Sequence, residues 1–194
     1  MARQFPAIEP ALAAFIAAQP IFFTATAAPG ARVNLSPREG AALRVLGPSA
    51  VCYLDQTGSG AETAAHLRAD GRMTIMLCAF AGPPMILRLY GTGRSIPRGG
   101  AEYAALLAAH YAGEEPPGAR QIVHLAIDLV QTSCGYGVPL FEHQGDRATL
   151  RDWARRRGED GLAAYRAEKN AHSLDGLPTG LPTGLPTGLP TGPA

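Results

Sequence analysis

Thr57-Gly58-Ser59-Gly60 is the stretch of this chain best suited to holding an anion. It follows an apolar strand pattern through Val51, Tyr53 and Leu54 and precedes the helix formers from Ala61 onward. A turn feeding a helix leaves backbone N–H groups pointing outward at the positive helix end, and such donors suit a phosphate. Ser59 and Glu62 also have the spacing of a capping box, in which hydroxyl and carboxylate take those donors for themselves. The sequence leaves both readings open. A P-loop is excluded, because it needs Gly-Lys-Ser/Thr and the only lysine of the chain is Lys169. The dinucleotide fingerprint would need a third glycine where Thr63 stands and an acidic residue about 20 positions on, where the apolar run Ile75 to Phe80 lies instead.

Other chemistry-bearing residues sit in strand patterns. Asn34 and Ser36 share one face of a short strand, with Val33 and Leu35 on the other. Arg44, between Leu43 and Val45, points away from the apolar side of its strand. Arg88 shares a face with Ile86 and Tyr90, opposite Leu87 and Leu89, so it either reaches solvent along its stem or meets an anion. Ser133-Cys134-Gly135-Tyr136 carries hydroxyl, thiol and phenol on a glycine-flanked segment. No base or cation adjoins Cys134 in sequence, so it reads as an inert thiol. Paired carboxylates and a His-Asp spacing are absent, which leaves no acid–base machinery in view. His66, His110, His124, His143 and His172 are scattered without short metal spacing, although one of them could serve as a haem ligand.

The elements that must position these groups follow from periodicity. Helices are expected over Glu9–Gln19, from Gly60 onward, over Ala101–Ala112, and over Arg147–Arg157 and Glu159–Lys169, split by Gly158. Strands are expected over Ile21–Ala27 and Arg32–Ser36 as a hairpin, Ala42–Leu46, Ala50–Asp55, Arg72–Phe80 and Met85–Ile96 as a long hairpin, and Gln121–Thr132. About seven antiparallel strands with inserted helices point to a small barrel whose closure removes its edges. Arg155, Arg156 and Arg157 read as a solvated helix end. The four Leu-Pro-Thr-Gly repeats from Leu177 read as a disordered tail, giving one domain over 1–175 and a tail over 176–194.

Composition narrows the partners. With 46% apolar residues in 194, the chain can bury one full core. A net charge of +1 provides no field to attract nucleic acid or an anionic membrane. Three cysteines, two of them in apolar strand runs, suit reduced thiols and a cytoplasmic location. No uninterrupted run of about 18 apolar residues marks a membrane span.

Taken in order, VNLSP (Val33 to Pro37), LRVL (Leu43 to Leu46), YLDQTGSGAETAAHL, LRLYG (Leu87 to Gly91) and VQTSCGYGVP (Val130 to Pro139) resemble the pyridoxamine 5'-phosphate oxidase-related, FMN-binding split-barrel family. The resemblance covers roughly residues 10 to 175 and rests on the order of the motifs together. It implies a mainly β protein with inserted α-helices, an antiparallel split β-barrel, and a homodimer holding FMN between protomers. Asn34 and Ser36 would then pass the isoalloxazine. Tyr53, Asp55, Thr57, Ser59 and Thr63 would line the turn that receives the phosphate. Arg44 and Arg88 would face the cleft, and Ser133 and Tyr136 would come from near the partner's side. The oxidases proper carry a basic pair where Glu62 and Thr63 stand here, so Arg44 or Arg88 would supply the charge. The implied activity is an FMN-dependent oxidoreductase with a small-molecule redox substrate; the alternatives are a non-catalytic flavin, deazaflavin or haem binder, and a structural dimer with an empty cleft.

Overall fold

The computed structural model describes residues 2–182. Along the chain the elements are β1 (Arg3–Phe5), α1 (Pro10–Ala18), β2 (Ile21–Thr26), β3 (Asn34–Glu39), β4 (Leu43–Gly47), β5 (Ala50–Gln56), α2 (Glu62–Ala69), β6 (Arg72–Cys78), β7 (Ile86–Pro97), α3 (Ala101–His110), β8 (Ala119–Ser133) and α4 (Thr149–Lys169). The strands form one antiparallel sheet in the order β3-β2-β6-β7-β8-β5-β4, with β1 paired on β8. Period-two burial explains the curl: Phe22, Thr24 and Thr26 of β2, Ile75 and Leu77 of β6, and Leu87 and Leu89 of β7 all turn inward. Phe22 meets Tyr53 of β5 edge-on, with ring centroids 5.3 Å apart, although their strands are not neighbours in the sheet. The sheet therefore bends until its two ends face across the core.

Closure is incomplete, which corrects the expected closed barrel. Among the described residues no backbone pairing joins β3 to β4, and a 3-10 turn over Gly40–Ala42 connects them. The result is a curled half-barrel with two edges. β7 and β8 pair along twelve positions, and the register shifts between Tyr90 and Gly91. A Cβ at Gly91 would lie 1.9 Å from the Ala126 carbonyl oxygen, so the bulge needs glycine.

The helices sit where the alanine-rich patterns put them. Pro10 opens α1, which buries Leu12 and Ile16 on the core. Gly158, at φ 65° and ψ 173°, breaks α4 into the two expected segments. Trp153 and Tyr165 meet across the break at 5.1 Å, with the Arg157 guanidinium over both rings. All three arginines of the cluster are exposed, in line with a solvated helix end; Arg155 pairs with Asp152 at 3.2 Å and Arg157 stacks on Trp153.

The tail also departs from expectation. Thr179 is buried, and its hydroxyl donates to the Asn170 carbonyl at 2.7 Å. Leu181 is buried against Ala61 and Ala64. The packed body thus runs to at least Leu181, past the expected boundary at 175, because a repeat poor in helix or strand pattern can still dock a leucine. The remaining repeats, over 183–194, lie outside the described residues. Among the described residues no helix is long and apolar enough to cross a membrane.

Candidate functional site

The inner face of β3 carries Asn34, Ser36 and Arg38 in a row, opposite Thr26, Thr24 and Phe22 of β2. Asn34 Nδ2 donates to Thr26 Oγ1 and Thr63 Oγ1, both at 3.2 Å, and Ser36 Oγ donates to Asn34 Oδ1 at 3.1 Å. Thr26 Oγ1 and His66 Nδ1 are 3.1 Å apart, which ties β2 and β3 to α2. This polar seam contains unpartnered atoms. His66 Nε2, the Tyr53 hydroxyl and Arg38 Nε are all buried without a hydrogen-bond partner. Burial pushes the Tyr53 phenol up to about 12.

Asp55 forms the floor of the seam. It pairs with Arg38 and accepts from Arg120 Nε and Gln121 Nε2, each at 2.7 Å. Burial alone would raise its carboxyl, yet the Arg120 and Arg38 guanidiniums together with these hydrogen bonds bring it down to about 2. Arg38 also lies 5.3 Å over the Tyr53 ring. Thr57 donates through both N and Oγ1 to the Gly118 carbonyl, at 2.7 and 2.9 Å.

The capping box does not form. α2 begins at Glu62 with Ala61 as its cap residue, so Ser59 lies two positions too early and is exposed. Glu62 Oε1 instead accepts from the Leu174 N–H at 2.9 Å. The first amides of α2 consequently have no side-chain acceptor.

Of the residues singled out in sequence, Asn34, Ser36, Tyr53, Asp55, Thr57 and Thr63 come together around this seam. Arg44 stands on the wall of the groove beside Arg38, with its guanidinium stacked on Tyr111 at 4.8 Å and donating to the His110, Ala41 and Leu43 carbonyls at 2.9, 2.7 and 2.9 Å. Arg88 reaches Ser133 Oγ at 3.2 Å on the β7–β8 pair, and Tyr136 is 82% exposed. The Cys134 thiol is exposed, and the Tyr136 N–H holds it below its ordinary value. Arg38 and Arg120 were missed. The signal for Arg38 was the same period of two that paired Asn34 with Ser36, carried one step further.

Beside Arg38 opens a groove of about 1440 Å³, bounded by Ala13 and Ile16 of α1, Leu43 and the loops holding Phe80 and Phe141. Among the described residues no group of three or more His, Cys, Asp or Glu could hold a metal. The seam therefore offers backbone amides, hydroxyls, the Asn34 and Gln121 side-chain amides and the Arg38 and Arg120 guanidiniums beside a largely apolar groove, a donor set suited to an anionic ligand.

The family model for pyridoxamine 5'-phosphate oxidase matches residues 8–134. A pyridoxamine 5'-phosphate oxidase family protein of Aspergillus flavus, ustO, is 38% identical over 178 residues, spanning 82% of this chain and 70% of that protein. Among solved structures, a histidine-to-alanine variant of HupZ of Group A Streptococcus superposes with a TM-score of 0.54 at 17% identity, over 65% of this chain and 99% of that one. A candidate pyridoxamine 5'-phosphate oxidase of Lactobacillus delbrueckii gives a TM-score of 0.50 at 18% identity, over 65% and 94%. At such identities the two structures speak for the fold alone.

Proposed function

Because the chain belongs to the pyridoxamine 5'-phosphate oxidase family, we propose that it is an FMN-binding oxidoreductase acting on a small-molecule redox substrate. The observation that carries this reading is the start of α2, whose amides lack a side-chain acceptor and adjoin Thr63 and Asn34. An anion is the natural complement of such donors. Arg38, with its buried and unpartnered Nε, is a cation of the seam and takes the part expected of Arg44 or Arg88, while Arg166 Nη1 donates to Thr57 Oγ1 in the turn itself at 3.3 Å. Glu62, which would repel a phosphate, is turned to the Leu174 N–H.

FMN, when bound, supplies the hydride chemistry. The chain's own residues have the simpler tasks of orientation and exclusion of water. Asn34, Ser36 and Thr63 offer hydroxyl and amide partners to the ribityl chain, and Thr57 fixes the turn through Gly118. No protein acid or base need act at the reacting atoms. A homodimer would bring Arg88, Ser133 and Tyr136 of a second protomer toward the seam. All three cysteines are free, as a cytoplasmic location would have them.

A visible spectrum of the purified protein tests the reading. A flavin band is the expected result; a Soret band would replace FMN with haem, and a featureless spectrum would remove the cofactor. Arg38→Ala should weaken FMN by about 1.5 to 3 kcal/mol, the range for a hydrogen bond to a charged group, whereas Arg44→Ala should leave it alone. Anaerobic bleaching by NADH or NADPH then separates an enzyme from a carrier.

A further inference from the structure

After α4 the chain lies back along α2, and the contacts there read one unit of the tail repeat residue by residue. Pro178 bridges His172 in antiparallel register. The hydrogen bonds flanking that bridge run from Ser173 N–H to the Leu177 carbonyl at 2.8 Å and from Thr179 N–H to the Ala171 carbonyl at 3.0 Å, so the N–H that proline lacks is not needed. Thr179 is buried, and its hydroxyl donates to the Asn170 carbonyl at 2.7 Å. Gly180 turns at φ 71°, a backbone that a Cβ makes costly, and a Cβ there would also stand 2.6 Å from Arg68 Nη1. Leu181 is buried against Ala61 and Ala64, on the helix face that continues to Arg68. Proline, threonine, glycine and leucine thus each meet a contact suited to that residue type.

The sequence supplies Pro-Thr-Gly-Leu three times, at 178–181, 182–185 and 186–189. We propose that Ala61, Ala64, Arg68 and the Asn170 and Ala171 carbonyls form a peptide-binding site for Pro-Thr-Gly-Leu, and that the second and third units of the same chain exchange with the first as its ligand. Moving the tail by one unit sets Leu181 where Leu177 now stands, leucine for leucine, and lengthens the loop after Ser173 by four residues. Loop-closure entropy grows only with the logarithm of length, so the first unit leads and the others follow closely. The covalent tether keeps the spare units at an effective concentration on the order of millimolar, which a second chain must exceed to compete.

Thermal melts of the full chain and three variants test this. Valine at 180, 184 or 188 closes one unit, because a β-branched residue resists the left-handed backbone. Gly180→Val should lower Tm by less than about 2 °C, since the unit at 182–185 takes the site. Gly184→Val combined with Gly188→Val should leave the melt unchanged. All three substitutions together should lower Tm by about 4 to 8 °C, and a synthetic Leu-Pro-Thr-Gly-Leu-Pro peptide at millimolar concentration should restore it, whereas the same peptide with valine for glycine should not. A triple variant that melts with the unmodified chain, or that the peptide leaves unmoved, overturns the peptide site. If the triple variant does not fold, Gly180→Val alone decides: the full loss in that single variant means a fixed register and overturns the exchange. Sedimentation identifies the source of the ligand. A Gly180→Val chain whose stability returns only with a concentration-dependent rise in mass over the unmodified chain has taken its unit from a second copy, which overturns exchange within one chain.

Discussion

Asp55 sits between the Arg38 and Arg120 guanidiniums, wholly buried, and is the most heavily committed side chain of the seam. Its carboxyl, at about 2, lies below the ordinary 3.8 of the unfolded chain, so its contribution to stability is complete above the higher value and is lost as the pH falls toward the lower one. Urea denaturation between about pH 5 and pH 2 should show that decline, and Asp55→Asn should flatten it. The same substitution should cost about 3 to 5 kcal/mol at neutral pH, because it leaves two buried cations without their counter-ion. Sequence reading found Asp55, Asn34, Ser36 and Thr63 because alternation along strands and proximity to the glycine turn are local signals. It stopped β3 at Ser36, whereas Arg38 and Glu39 still pair with Phe22 and Ile21. Pro37 is tolerated there because β3 is an edge strand and lacks a second partner for the missing N–H.

α2 and α4 show how far element-level signals reach. The helix formers after Gly60 predict α2, but the capping box mistook the residue before the turn's end for the helix cap, since Gly60 and Ala61 stay outside the helix. A spacing match fixes which side chains can cap only when the boundary is known to the residue. Gly158 was the more reliable signal: it divides α4 with a backbone conformation that a Cβ makes costly. Gly158→Ala should destabilise the fold by about 1 to 3 kcal/mol through strain alone, since no atom lies within 4 Å of the added methyl. A thermal melt should report the loss, together with a change in Trp153 fluorescence as its contact with Tyr165 is disturbed.

For the molecule as a whole, long-range pairing decides what local pattern cannot. Hairpins were legible from their turns, but the failure of β3 to pair with β4 depends on the curl of strands between them. The docking of Leu181 depends on Ala61, just before α2, and Ala64 within it, far earlier in the chain. Truncation after Asp175, expected from composition to be harmless, should therefore cost about 2 kcal/mol from the lost burial of Leu181, or roughly 4 to 8 °C in Tm. A melting temperature unchanged by the truncation would return the tail to an idle role. Among the described residues β8, finally, is the only partner of β5 besides β4 and of β7 besides β6, and it also receives β1. During synthesis the earlier strands must wait for a template that is complete only once Ser133 has been added. Until then hydrophobic edges stay open to other chains, and slow translation before that point should raise the yield of aggregate.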